Sequence, residues 1–230
     1  MKAQRLRVRF AVGESASRKS HRELLNEWGE AARRAGLTVA YSAGKRPAPQ
    51  ISVAALLPQG VTGGGEVLDI YLDERADPAT ALERLRKEAP EGITVLDVEE
   101  VGPSTASVQA QLRWAEYEVE VPLAAVRDVD VEGKIAQLLT ADSWPAEYRR
   151  EKKVRSYDLR PLVLDLAVVG EREGALVLRM ALRAEQDSSA RADQVLVALG
   201  LPEARRIHRT ALHLDRVPEV VLAHRRESGS

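Results

Sequence analysis

The segment Ser42–Gln50, SAGKRPAPQ, carries the most suggestive chemistry in this chain. Lys45 and Arg46 place two positive charges side by side. Gly44 allows a ligand to approach the backbone, and Pro47 and Pro49 stiffen the display. Upstream, Arg18, Lys19, His21 and Arg22 stand at the start of a predicted helix, where free amide groups also favour anions. With the flanking Tyr41 and Ser42, these residues make a candidate site for phosphate or RNA. One site would require the helix start and the loop to meet. The spacing is not that of a Walker A loop, GxxxxGK[ST]. A stiff, solvated surface loop accounts for the same residues as well as ligand binding does.

A second basic stretch is Tyr148–Arg155, YRREKKVR, followed by Tyr157 and Arg160. Its charge suits anions and its tyrosines suit base stacking. The alternative is a solvated strand edge, where Lys also discourages edge pairing. The histidines are His21, His208, His213 and His224, and none has metal-site spacing with another. An offset of five puts His208 and His213 on opposite faces of one regular strand. His21 gains interest from its basic neighbours but lacks a visible acid/base partner. Ser20 and Ser42 have no evident activating base. No catalytic residue, metal or cofactor is expected.

The elements that must position these groups follow from periodicity. Arg5–Phe10 alternates, with Leu6, Val8 and Phe10 on one face and Arg5, Arg7 and Arg9 on the other. Ser20–Glu23 has capping-box spacing, and Leu25, Trp28, Ala32 and Ala35 recur as in a helix that Gly36 stops. Val39–Ser42 and Ile51–Leu57 read as strand pieces, Val67–Asp73 as an alternating strand, Asp77-Pro78 as a helix start and Ile93–Val98 as a strand. The order is βαββαβ, a ferredoxin-like unit. Gly102–Thr105 then looks like a linker.

The order recurs in the second half. It comprises an alternating strand at Glu116–Val121, a helix at Glu132–Ala141 and a long strand region at Tyr148–Val169. A strand at Ala175–Arg183, a helix at Ala192–Leu199 and a strand at Arg206–Leu214 complete it. The expected fold is therefore α+β, two tandem ferredoxin-like units with antiparallel sheets. The domains would be 1–103 and 104–230, with a frayed tail after Pro218.

That fold gives the Arg5/Arg7/Arg9 ladder two readings. An open ferredoxin-like sheet face is a common seat for RNA. Alternatively, Asp69 and Asp73 on the neighbouring strand pair with the arginines. The second unit carries the reverse pattern, Glu116, Glu118 and Glu120 on its first strand and Arg179 and Arg183 on its third. This mirroring favours the structural reading. The two ladders facing one another is a further structural option. Tyr71 is the one aromatic expected on the first open face, where a stacking module uses two or three.

Composition narrows the function classes. The chain has 230 residues, 44% hydrophobic, 30% charged and only 4% aromatic, which suits a globular protein with an aliphatic core. Net charge is -1, unlike a general nucleic-acid binder. The average conceals an asymmetry: residues 1–50 hold eleven Lys/Arg against four Asp/Glu, and residues 51–106 hold four against eleven. With Cys at 0, there is no disulfide, thiolate zinc site, cysteine nucleophile or self-bound iron–sulfur cluster. No signal peptide or membrane span is evident, so a cytoplasmic location is expected.

Three separated stretches resemble a bacterial domain family that occurs alone or fused to radical SAM proteins. Ser20–Gly60 reads SHRELLNEWGEAARRAGLTVAYSAGKRPAPQISVAALLPQG, against family runs of SHLDL, ARRAGLP.AYS.GF.P.P and S.A..LP.G. Arg155–Leu166, RSYDLRPLVLDL, is similar to REVDLRPLVLDL, and Arg206–Leu214, RIHRTALHL, to RIHRTALYL. The departures are SHRE for SHLD and Gly44-Lys45 for GF. The resemblance implies a radical SAM protein as partner, with any cluster on that other chain, and supplies no settled activity.

The leading expectation is a non-catalytic accessory module that binds or presents RNA, such as tRNA, to that partner. One rival is an RNA-processing enzyme, since tandem ferredoxin-like units resemble CRISPR repeat-cleaving endoribonucleases. Those tend to carry a Gly-rich loop near the C-terminus, whereas the Gly cluster here is Gly63–Gly65. The other rival is a protein–protein adaptor without nucleic acid.

Overall fold

Alternation in Arg5–Phe10 produces the strand β1 (Gln4–Val12), which buries Leu6, Val8 and Phe10 completely or nearly so. The computed structural model describes residues 2–102, 104–150 and 153–214. Pro103, the Glu151–Lys152 pair, His224 and the tail expected to fray lie outside the described residues. The chain divides into two compact units, residues 1–112 and 113–230. Each is α+β, with a mostly antiparallel sheet and few helices.

In the first unit β1 is followed by the short helix α1 (Glu14–Ser17) and by α2 (His21–Arg34). Ser20 caps α2 with a full capping box: its hydroxyl accepts from the Glu23 amide and the Glu23 carboxylate accepts from the Ser20 amide. Those bonds hold the Glu23 carboxyl below its ordinary 4.5. Gly36 follows the helix at φ 72°, a conformation that ends helices at little steric cost. Next come β2 (Ile51–Val53), β3 (Thr62–Leu72), α3 (Pro78–Glu88), β4 (Ile93–Glu100) and α4 (Val108–Gln111). The strand order is β4-β1-β3-β2, all antiparallel. Trp28 of α2, Leu85 of α3 and the inward residues of β1, β3 and β4 form one core. The expected strand pieces are shorter than predicted. Ile51–Leu57 keeps three strand residues, and Val39 and Tyr41 make isolated bridges only.

The boundary falls nine residues beyond the 103/104 position that composition suggests. The reason is packing. The Gln109 amide donates to the Val53 carbonyl at 2.8 Å and to the Ser52 hydroxyl at 2.7 Å, which ties α4 to the first unit.

The second unit runs β5 (Trp114–Pro122), α5 (Val131–Thr140), β6 (Pro145–Arg150), β7 (Lys153–Asp158), β8 (Val163–Arg172), β9 (Ala175–Glu185), β10 (Ser188–Ser189), α6 (Ala192–Ala198) and β11 (Arg206–His213). Its sheet order is β11-β5-β9-β8, with β10 also pairing β9. The predicted long strand at Tyr148–Val169 is two things. The first is a separate two-stranded ribbon, β6–β7. The second is β8, reached through a 3-10 turn at Arg160–Leu162. Asp158 turns the corner by accepting from the Trp144 and Arg160 amides, bonds that lower its pKa.

The expected Glu–Arg ladder also finds other partners. Glu118 pairs with Arg172 at 2.7 Å rather than with the opposed Arg179, which reaches Asp165. Glu120 is gripped by Arg205 at 2.6 Å and Arg206 at 3.3 Å. The Arg205 hydrogen bond, then that of Arg206, hold the Glu120 carboxyl below its ordinary 4.5. The unfolded chain therefore takes up this proton first as pH falls. The contribution of Glu120 is full above 4.5 and is lost as pH falls through the lowered folded value. Denaturant midpoints measured across acidic pH should fall less steeply in Glu120→Gln than in the parent. Parallel curves would remove Glu120 from the acid response.

A bulge corrects the histidine geometry. The β11–β5 register slips between Arg209 and Ala211, which makes Thr210 an extra residue. His208 then opposes Glu118 and His213 opposes Trp114, so both histidines share a face instead of pointing apart. His213 lies 2.9 Å from a Glu116 carboxylate oxygen and stacks on Trp114 at 3.7 Å.

Candidate functional site: the basic loop and helix start

The loop after α2 is closed by its own backbone. The Ser42 amide donates to the Ala48 carbonyl at 2.9 Å, and the Ala48 amide donates to the Ser42 hydroxyl at 3.1 Å. Tyr41 bridges to Pro49, and Gly44 sits at φ 131°, which an L side chain adopts only with strain. Between these ties Lys45, Arg46 and Pro47 are exposed, and Tyr41 is half exposed. Neither Lys45 nor Arg46 has an acidic partner among the described residues. Two adjacent cations with no neutralising neighbour, on a preshaped loop, attract anions at little ordering cost.

The helix start is built differently. The Ser17 carbonyl accepts from the Gly60 amide at 2.9 Å, and the Arg18 carbonyl accepts from Gln59 at 3.3 Å. Lys19 is committed to Glu27 at 2.7 Å. Arg18, His21 and Arg22 project into solvent without side-chain partners among the described residues.

These two groups are not brought together at their bases. The helix start lies by the Val12 end of β1, where the Gly13 amide donates to Gly92. The loop rises at the other end, where Ala40 donates to Tyr71 and Tyr71 to Gln50. Thr62 and Tyr71, at those two ends of β3, are roughly 30 Å apart along the strand. Pro49 instead seats against Gly29, in the middle of α2. The ten expected residues thus form two basic groups. Tyr41, Ser42, Gly44, Lys45, Arg46 and Pro47 form one. Arg18, His21 and Arg22, with the neutralised Lys19, form the other.

The Arg5/Arg7/Arg9 ladder splits as well. Asp69 is fully buried and accepts from Arg7 through both oxygens, at 2.8 and 3.1 Å, with Arg5 at 3.8 Å. Arg5 then donates to the carbonyls of Gly102, Thr105 and Ala106, and Arg7 to Gln111. Asp73 takes no part. Only Arg9 is exposed. This part of the sheet face is covered by Gly102, Thr105, Ala106 and Gln111 of the chain itself. Sequence reasoning named the acid correctly but missed the cover, since nothing in Gly102–Gln111 has the periodicity of a packing element. Arg160, grouped earlier with the basic ribbon, is also buried and donates to the Val163 and Leu139 carbonyls.

Among the described residues no group of three His, Asp or Glu side chains is placed to hold a metal ion, and no helix is long and apolar enough to cross a membrane. Residues 5–192 match the model of a family described as an uncharacterized protein conserved in bacteria, DUF2344. The chain belongs to the DUF2344 family. Comparison with curated proteins gives no match. Among solved structures, a Cbf5-Nop10-Gar1 complex contains a chain 16% identical, with TM-score 0.45, covering 92% of this chain and 49% of that one. The archaeal box H/ACA sRNP Nop10-Cbf5 complex contains another, 14% identical, with TM-score 0.38, covering 90% and 47%. This DUF2344 chain spans about half the length of the chains it matches in those two complexes.

Proposed function

We propose that this DUF2344 protein is a non-catalytic binding module. It partners a separately encoded radical SAM protein and presents RNA to it, with the Ser42–Ala48 loop as the phosphate-contacting element. The partner follows from the sequence resemblance; the RNA follows from the loop. The observation that carries the reading is the exposed Lys45–Arg46 pair, without an acidic partner among the described residues, on a loop shaped by its own hydrogen bonds. We read each unit as ferredoxin-like, supported by βαββαβ order and by sheets in which the first strand sits between the third and the last.

The test is fluorescence anisotropy of labelled bulk tRNA at several salt concentrations. Each cation that neutralises a phosphate contributes just under one unit to the slope of log K against log salt. Lys45→Ala with Arg46→Ala should therefore weaken binding and flatten that slope by about 1–2 units. Unchanged affinity and slope would remove the loop from the account. One observation favours the adaptor reading instead. Arg5 and Arg7 are consumed by Asp69, which takes two cations from any nucleic-acid surface. Co-purification with a cluster-bearing protein, without RNA binding, would establish that alternative.

A further inference from the structure

The β6–β7 ribbon places Tyr148 opposite Arg155 and Tyr157 opposite Ala146, so the two tyrosines are diagonal neighbours on one ribbon face. They line a cleft of about 540 Å³ within the second unit, together with Leu162, Ser188, Arg191 and Gln194. That volume lies in the range of small-molecule sites. The mixture is also theirs: flat aromatic surface, one aliphatic contact and several groups able to donate or accept hydrogen bonds.

The charges of the cleft are largely spent. Asp193 holds Arg191 through two bonds of 2.9 Å. Asp158 is engaged by the Trp144 and Arg160 amides. The remaining charged wall residue, Asp187, is acidic. Among the described wall residues a phosphate would meet no cation without an acidic partner, whereas an uncharged heteroaromatic ring with amino edges would meet acceptors. Burial, then the charge of Asp193, push the Tyr157 hydroxyl above its usual range. It stays protonated and donates to Gln194 at 3.2 Å, which fixes the ring. The Tyr148 hydroxyl makes no hydrogen bond among the described residues.

We propose that this cleft binds an unstacked nucleobase, stacked on Tyr148 and Tyr157 with its polar edge toward Ser188, Gln194 and Asp187. The base could belong to single-stranded RNA or to a free nucleoside. For the RNA source the inference deepens the RNA-presenting reading and rests on it. Aromatic stacking tolerates all bases, so a short single-stranded RNA of mixed sequence is a sufficient probe.

The experiment is anisotropy with that labelled strand and with its duplex, alongside an NMR titration with adenosine and uridine. Tyr148→Leu and Tyr157→Leu should each weaken single-strand binding about 10-fold, and Tyr148→Phe should stay within about 3-fold of the parent. Duplex binding should not respond, and thermal melts check that each variant is folded. Nucleoside-induced shifts confined to the cleft, without RNA binding, would uphold the nucleobase site and overturn the RNA-presenting function. RNA binding lost in the Lys45/Arg46 double variant but untouched in both leucine variants, with no nucleoside shifts, would overturn the cleft and leave that function standing. Binding of neither probe would overturn both.

Discussion

Asp69→Ala should cost about 3–5 kcal/mol of stability, enough to unfold a large fraction of molecules in a marginal domain. Asp69 has no exposed surface, and Arg7 is only 5% exposed. Removing the carboxylate leaves the Arg7 guanidinium buried with Gln111 as its one remaining side-chain acceptor among the described residues, and takes Asp69 away from Arg5. The penalty is that of an uncompensated buried charge, not the net worth of the pair. For that reason Arg7→Met with Asp69→Leu should be less harmful than Asp69→Ala alone. Urea midpoints at constant slope measure all three proteins. A loss under about 1 kcal/mol in Asp69→Ala would mean that water reaches the site and the network is not closed.

The second large effect is expected at Trp28. This side chain has no exposed surface and meets the Phe10 ring edge-on at 5.1 Å. Trp28→Ala opens a cavity between α2 and the sheet and should cost about 3–5 kcal/mol. Trp28→Phe is informative because the indole Nε1 is buried without a hydrogen-bond partner among the described residues. The substitution gives up volume but also removes an unsatisfied donor, so its cost should stay near about 1 kcal/mol. Denaturant unfolding followed by circular dichroism would separate the two variants. Equal losses would show that the volume removed does not set the energetics here.

The sequence signals that proved readable were those set by local chemistry. Alternation in Arg5–Phe10 and Ala175–Arg183, the Ser20–Glu23 capping box and the Gly36 stop each translate into the element observed. Charge partners were only half legible. The outward alternation of the neighbouring strand points to Asp69 and Asp73 together, and the register that selects Asp69 for Arg7 is visible only in the structure. The Glu116/Glu118/Glu120 and Arg179/Arg183 pattern marks two oppositely charged strands, yet Glu118, which opposes Arg179, reaches Arg172, since long side chains do not obey register. The Thr210 bulge escapes a strict two-residue period, since Ile207 and Leu212 share a face with an odd offset between them. For the candidate site, the residue types in Ser42–Ala48 were legible and their separation from Arg18–Arg22 was not. That separation follows from Pro49 docking on Gly29, a contact between positions twenty residues apart in sequence.

The Arg5 anchor sets a schedule for synthesis. Its guanidinium waits for the Thr105 carbonyl, which lies 100 residues downstream. At ribosomal speeds that partner arrives roughly 5–20 seconds after Arg5 itself. Until then the Asp69 site lacks its cover, however well β1 and β3 have paired. A nascent first unit is therefore held open from one side until residues 102–111 emerge, and a fragment cut at position 101 would carry that open state permanently.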